Sequence, residues 1–222
     1  MFDRLVLNTT CADKVHTSEA VPCLRTVAFE EINRAVNISG IGPWVPVMDG
    51  DFIQDYPTNQ LRDGRFVKAP VLIGSNSDEG AYFRGLRGNA NVTILNTDQD
   101  FKDMVRPVFS DKVKKTTGKS IDELVEELAL VYPNIQSVGI PSLAKWPVVI
   151  NESTPELQYL GLQNRRGNAF GGDATNIAWR RQSNIYWSSH NIPNWSFRFD
   201  ATPDGIPANV SSAHFLEVSL RV

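Results

Sequence analysis

Between a proline and a glycine, residues Pro70-Val71-Leu72-Ile73-Gly74 form an unbroken apolar run, and no other segment narrows the fold as far. The run is too short for a helix with a useful face. Its lack of alternation predicts a strand covered on both sides, as in a parallel sheet. The strand-exit loop then falls on residues 75–80, which in an open α/β sheet is the end where function collects.

Around this strand the apolar spacing predicts helices. Residues 26–36 place Phe29, Ile32 and Val36 on one face, and residues 98–109 read as a second amphipathic helix. A third covers residues 121–131, opened by Ser120 with Glu123 three positions on as a capping box, and with Leu124, Leu128 and Val131 facing inward. A further helix is expected to start at Asp173, whose carboxylate would cap the amides of Ala174 to Ile177, and to run through Trp179-Arg180-Arg181. Residues 194–199 alternate apolar and polar side chains as a strand with one packed face, and a loop containing Pro203, Gly205 and Pro207 leads on to His214. Between the helix of residues 26–36 and the first strand, the chain is rich in Gly, Pro and Asp, with a turn expected at Met48-Asp49-Gly50-Asp51. There is no internal repeat, and strands separated by long helical connections imply an α/β fold.

A net charge of −3 and a pI of about 5.6 supply no basic field for phosphates, so nucleic acid is not expected as a partner. No apolar stretch approaches the roughly 20 residues of a membrane span. The first ten residues lack the pattern of a signal peptide, so an extracellular location has to be argued from elsewhere. Two features favour it. The pair Cys11 and Cys23 can close a small loop in an oxidising compartment, the alternative being two reduced buried thiols. The acceptor pattern Asn-x-Ser/Thr occurs at Asn8, Asn37, Asn91, Asn151, Asn194 and Asn209, against about two expected by chance. Asn194 lies in the strand-like stretch where a glycan would not fit, which leaves the other five as glycosylation candidates.

Two loop positions have the residue types for acid–base chemistry: Glu79 after the apolar run, and His214 after the second strand. A carboxylate beside a histidine fixes the imidazole tautomer and supports its charged form. Taken alone this is weak, because acidic loop residues are common and His16 and His190 offer other pairings. His16 within the cysteine loop and His190 at a helix end read as surface residues. No zinc-type His or Cys spacing, dinucleotide loop or phosphate loop occurs, so no metal or cofactor is expected. The nucleophile elbow Gly-x-Ser-x-Gly and the oxyanion motif His-Gly-Gly-Gly are also missing from the 222 residues.

Several segments together resemble the type-B carboxylesterases and lipases, the family that includes the cholinesterases and fungal lipases. Cys11 through Cys23-Leu24-Arg25 is similar to the family's cysteine loop, and Trp44 to Phe52 to its proline and aspartate-glycine segment. Gly64-Arg65-Phe66 followed by Pro70 to Gly80 resembles the run that delivers the triad acid. Gly172-Asp173-Ala174-Thr175 with Arg180-Arg181, then Phe197-Arg198-Phe199-Asp200, then Ala213-His214-Phe215-Leu216-Glu217-Val218 match later motifs in order.

The resemblance implies that residues 1–222 are one partial carboxylesterase domain, the C-terminal part of an α/β-hydrolase fold incomplete at both ends. Glu79 would be the triad acid and His214 the general base, with Glu217 a structural neighbour. The substrate would be a small-molecule or lipid ester, and no cofactor would be needed. The serine and its oxyanion loop would precede Met1, so the chain's partner would be the missing N-terminal part of the same domain. Leu220-Arg221-Val222 departs from the aromatic-rich sequence expected there. A noncatalytic extracellular binding module of the same fold is the alternative, although such a module has no need of both Glu79 and His214.

Overall fold

The structure, a computed structural model, describes residues 1–38, 44–82, 94–110 and 113–218. The chain divides into two compact units, residues 1–60 and 61–222.

The first unit carries helices α1 (Phe2–Leu7), α2 (Ala20–Leu24) and α3 (Phe29–Val36). Its small core is Val6, Cys11 and Ala20, with Val15, Leu24 and Val27 packed around them. Cys11 and Cys23 are joined by a disulfide, which decides between the two readings of that pair. A loop of this size restricts the unfolded chain enough to contribute about 3 kcal/mol, a large share for so small a core. In α3 the buried residue is Ala35, while Phe29 is 75% exposed. Ile32 and Val36 are half-buried, so the apolar spacing located the helix and most of its covered face but not Phe29, which stands at the first helical position. The turn at Gly50 forms as expected: Asp49 Oδ1 accepts from the amides of Asp51 and Ile53 at 3.0 and 2.9 Å.

Helix α4 (Pro57–Arg62) crosses the division between the units. The second unit contains β1 (Val71–Asn76), α5 (Asp98–Val105), α6 (Val113–Thr117), α7 (Ile121–Val131), α8 (Leu157–Leu160), α9 (Asn164–Gly172), α10 (Ala178–Ser189) and β2 (Asn194–Phe199). The two strands pair in parallel, with Val71 opposite Asn194 and Asn76 opposite Phe199. Gly74 sits under the ring of Phe197, and a Cβ there would fall 2.0 Å from that ring. The strand is not covered on both faces as its composition predicted. Leu72 is 66% exposed and its cross-strand partner Trp195 58%. Among the described residues this sheet has two strands, and a pair of strands has too little neighbouring structure to shield both sides.

The principal core of this unit is Phe101, Val105, Val125 and Phe170, contributed by α5, α7 and α9. Phe101 and Phe170 meet edge to face with ring centroids 5.9 Å apart, a favourable aromatic geometry. Both α5 and α7 start with a capping box, Thr97 with Asp100 and Ser120 with Glu123. Only the second was read from sequence; the first uses the shorter Asp in place of Glu. Helix α5 ends at Val105 and passes into a 3-10 turn at Arg106–Val108, where Pro107 removes an amide. In α7 the buried residue is Val125, with Leu124 and Leu128 half-buried and Val131 70% exposed.

Asp173 caps no helix. The backbone is already helical from Asn164 and continues through a π-helical segment, Asp173–Ile177, directly into α10. Three glycines and two asparagines in residues 164–172 disguised this helix. They weaken intrinsic helicity, but glycine lets other backbone pack closely, and burial overrides propensity. The Asp173 carboxylate instead accepts from the Tyr132 hydroxyl at 2.6 Å.

Burial, with the charge of Asp173, pushes the Tyr132 phenol well above its ordinary value. The folded state therefore holds this proton more tightly than the unfolded state, so the contribution is complete below about pH 10 and declines as the pH rises beyond it. Urea midpoints at about pH 8 and about pH 10.5 should fall less between the two in Tyr132→Phe than in the parent chain. An equal fall would disprove the linkage. Among the described residues no helix is long and apolar enough to cross a membrane.

Candidate active site

Beyond β1 the chain enters a short 3-10 turn, Glu79–Ala81, and residues 75–81 are all buried. One backbone contact lengthens the sheet pairing past the strand end, the Ser77 amide donating to Phe199 O at 2.8 Å, and another ties the turn to the histidine loop, the Asp78 amide donating to Ser212 O at 3.1 Å. The turn lies against α9 so closely that a Cβ on Gly80 would be 1.8 Å from the Asn168 carbonyl oxygen. Only glycine permits that approach.

The turn aims the Glu79 side chain at two donors. Oε1 accepts from the Asn76 amide at 2.7 Å, and Oε2 lies 2.7 Å from His214 Nδ1. Glu79 is 4% exposed, whereas the His214 side chain is 35% exposed. An ionised carboxylate only accepts, so this contact requires Nδ1 to carry the proton. With the proton on Nδ1, an imidazole in its neutral form has its lone pair on Nε2.

The histidine loop is held by buried polar contacts. Asn76 Nδ2 donates to Ala213 O at 2.6 Å and to Glu217 Oε2 at 2.7 Å. Its backbone is also unusual, since Ser211 and Phe215 have φ of 56° and 72°. For a residue as bulky as Phe this left-handed conformation costs on the order of 1–3 kcal/mol and persists where surrounding contacts enforce it.

A cavity of about 500 Å³ opens beside the pair, lined by Glu79, His214, Asn176, Trp179, Arg180 and Phe197 among others. Asn176 was not foreseen: its Nδ2 lies 3.3 Å from Glu79 Oε2. It lies within the helix expected from Asp173 onward, but nothing local marks it as facing Glu79, 97 residues away in the chain. A second cavity of about 520 Å³, lined by Tyr132, Ile140, Arg166 and Asp173, contains no histidine.

The other histidines have different surroundings. His16 is exposed in the first unit, 3.6 Å from Asp3, and His190 turns its ring edge toward Phe66 at 5.5 Å. Of the glycosylation candidates, Asn8, Asn37 and Asn151 are exposed and Asn209 is half-buried, while Asn91 lies outside the described residues. Asn194 is half-buried in β2, its amide donating to Ser188 Oγ at 2.9 Å.

Residues 1–140 match the carboxylesterase family. Lipase 5 of Diutina rugosa is 28% identical over 207 residues, covering 89% of this chain and 32% of the lipase. Cholinesterase 2 of Branchiostoma lanceolatum is 46% identical over 76 residues, 33% of this chain and 23% of that protein. Acetylcholinesterase 1 of Caenorhabditis elegans is 51% identical over 41 residues, 18% of this chain and 7% of the enzyme. The chain thus spans about a third or less of the length of these relatives. With more than half of its residues matched to one family, and lipase similarity over 89% of its length, the chain belongs to the carboxylesterase family.

Proposed function

We infer that this chain provides the acid and the base of a Ser-Glu-His ester hydrolase, Glu79 and His214, and that the serine and oxyanion donors come from polypeptide outside the 222 residues. The observation that carries this reading is the 2.7 Å contact from His214 Nδ1 to a buried Glu79 carboxylate, beside an open cavity. On this reading the two strands and flanking helices belong to the C-terminal part of an α/β-hydrolase sheet. The disulfide and the excess of glycosylation acceptors favour an extracellular setting. The names of the relatives, lipases and cholinesterases, favour lipid or small-molecule esters as substrates.

In the assembled site His214 Nε2 takes the serine proton as the hydroxyl oxygen bonds to the ester carbonyl carbon. The imidazolium returns that proton to the alcohol as the carbon–oxygen bond to the leaving group breaks. Glu79 supports the imidazolium throughout. Water repeats the sequence on the acyl-enzyme, releasing the acid and restoring the serine.

By itself the 222-residue chain should not catalyse this reaction, because nucleophile and oxyanion donors are absent together. Purified chain is expected to show no serine-dependent release of p-nitrophenol from p-nitrophenyl esters and no covalent labelling by an organophosphonate. Mass-spectrometric detection of a labelled serine would overturn this reading.

A further inference from the structure

Behind the Glu79–His214 pair lies a second polar cluster, built around one lysine. Lys145 Nζ is 2.8 Å from Asp78 Oδ2 and 2.9 Å from Ser212 Oγ, and it also pairs with Asp200 Oδ1. An ammonium has three donors, and here each has an acceptor. Ser212 Oγ donates in turn to Asp78 Oδ2 at 2.8 Å, closing a triangle. The Asp78 side chain is 3% exposed and that of Lys145 22%.

The positions of these acceptors matter more than their number. Asp78 immediately precedes Glu79, and Ser212 stands two residues before His214. Asp200 directly follows β2, whose residue Arg198 donates through Nε to Ser77 Oγ at 2.6 Å. One side chain thus ties the strand-exit loop, the histidine loop and the end of β2 together. Lys145 is itself anchored by a turn, its amide donating to Ser142 O at 3.1 Å.

The electrostatics are consistent with a held cluster. Lys145 is the first cause that keeps the Asp200 carboxyl below its ordinary range, with Ser77 and Arg198 adding to it. Asp78 also interacts with the buried charge of Arg165. Removing Lys145 would leave Asp78 buried with its direct ion pair broken, a strongly unfavourable arrangement. Relief would come by moving the Asp78 loop, and Glu79 is the next residue.

We propose that Lys145, acting through Asp78 and Ser212, is a positioning residue that sets the separation of Glu79 and His214. The proposal rests on the acid–base reading of that pair. It gives the lysine no contact with substrate.

The test uses the 222-residue chain and proton NMR at low temperature. A histidine Nδ1 proton shared with a carboxylate gives a strongly downfield resonance, assignable by its disappearance in His214→Asn. Lys145→Met should lose this resonance while retaining the parent helix content by circular dichroism, and Lys145→Arg should restore it at least in part. Lys102→Met, which breaks surface ion pairs to Asp98 and Glu126, should keep it. Should Lys145→Met fail to fold, Ser212→Ala replaces it, since it removes one hydroxyl and leaves the Lys145–Asp78 pair, and it should weaken or shift the same resonance. A folded variant of either kind with an unchanged resonance would overturn the positioning role while leaving the acid–base reading intact. Absence of the resonance from the parent chain would overturn the acid–base reading itself, and the positioning role with it.

Discussion

Replacing Gly80 with valine is expected to lower the stability of residues 61–222 by about 3 kcal/mol or more. It should also abolish the downfield His214 Nδ1 resonance. The Cβ alone would stand 1.8 Å from Asn168 O and 2.6 Å from the Gly172 amide nitrogen. Both are backbone atoms of one helix, so no side-chain rotation can relieve the overlap. Either α9 or the turn has to move, and the turn carries Glu79. Even alanine introduces this Cβ, so Gly80→Ala should show most of the effect. Urea unfolding followed by tryptophan fluorescence is a suitable measurement, because four of the five tryptophans lie beyond residue 60. A parent-like midpoint in both variants would mean that the turn and α9 are not in contact as described.

Phe101→Ala should cost about 3–5 kcal/mol, the range for deleting a buried aromatic ring and leaving a cavity. Phe101 is wholly buried, packs edge to face on Phe170, and lies under the guanidinium of Arg166, whose carbon is 3.8 Å from the ring centroid. Arg166 is 5% exposed and bonded to Asp98, Gln163 and the carbonyl of Ala129. Losing the ring therefore removes apolar contact and one wall around a buried charge. Phe101→Leu keeps most of the volume and should recover more than half of the loss. A cost under about 1 kcal/mol for the alanine variant would show that this cluster is not the core that carries the unit. Because Phe170 is on α9, the same helix that meets Gly80, core damage here should also reach the Glu79 turn. The downfield resonance of the folded fraction should broaden in Phe101→Ala and sharpen again in Phe101→Leu.

Local chemistry made the strands, α7 and its capping box, and the turn at Gly50 readable, because each is fixed by neighbours within a few residues. The family also was readable, since its motifs are short runs in a set order. The stretch 164–172 was not. Its glycines and asparagines argue against a helix by propensity, and only close packing against Gly80 and Leu95 accounts for them. No local pattern singles out Asn176 within the helix expected from Asp173 onward, and the lysine cluster shows the same limit. Asp78, Lys145 and Ser212 are separated by 67 residues at each step, and no spacing rule links residues so far apart.

The burial errors have a related cause. Phe29 and Val131 follow the apolar period of their helices, yet both are exposed. Periodicity defines a face, but the neighbour that arrives decides how far along the helix that face is covered. The amino-acid sequence by itself determined the chain's family, and a glutamate and a histidine each on a loop leaving a strand, while the structure settled the cysteine pairing. The tertiary structure alone decided that these two side chains meet at 2.7 Å, 135 residues apart in the chain, with Asn76, Asn176 and the Lys145 cluster around them. Carboxylate–imidazole geometry depends on fractions of an ångström, and such distances are set by packing between distant segments.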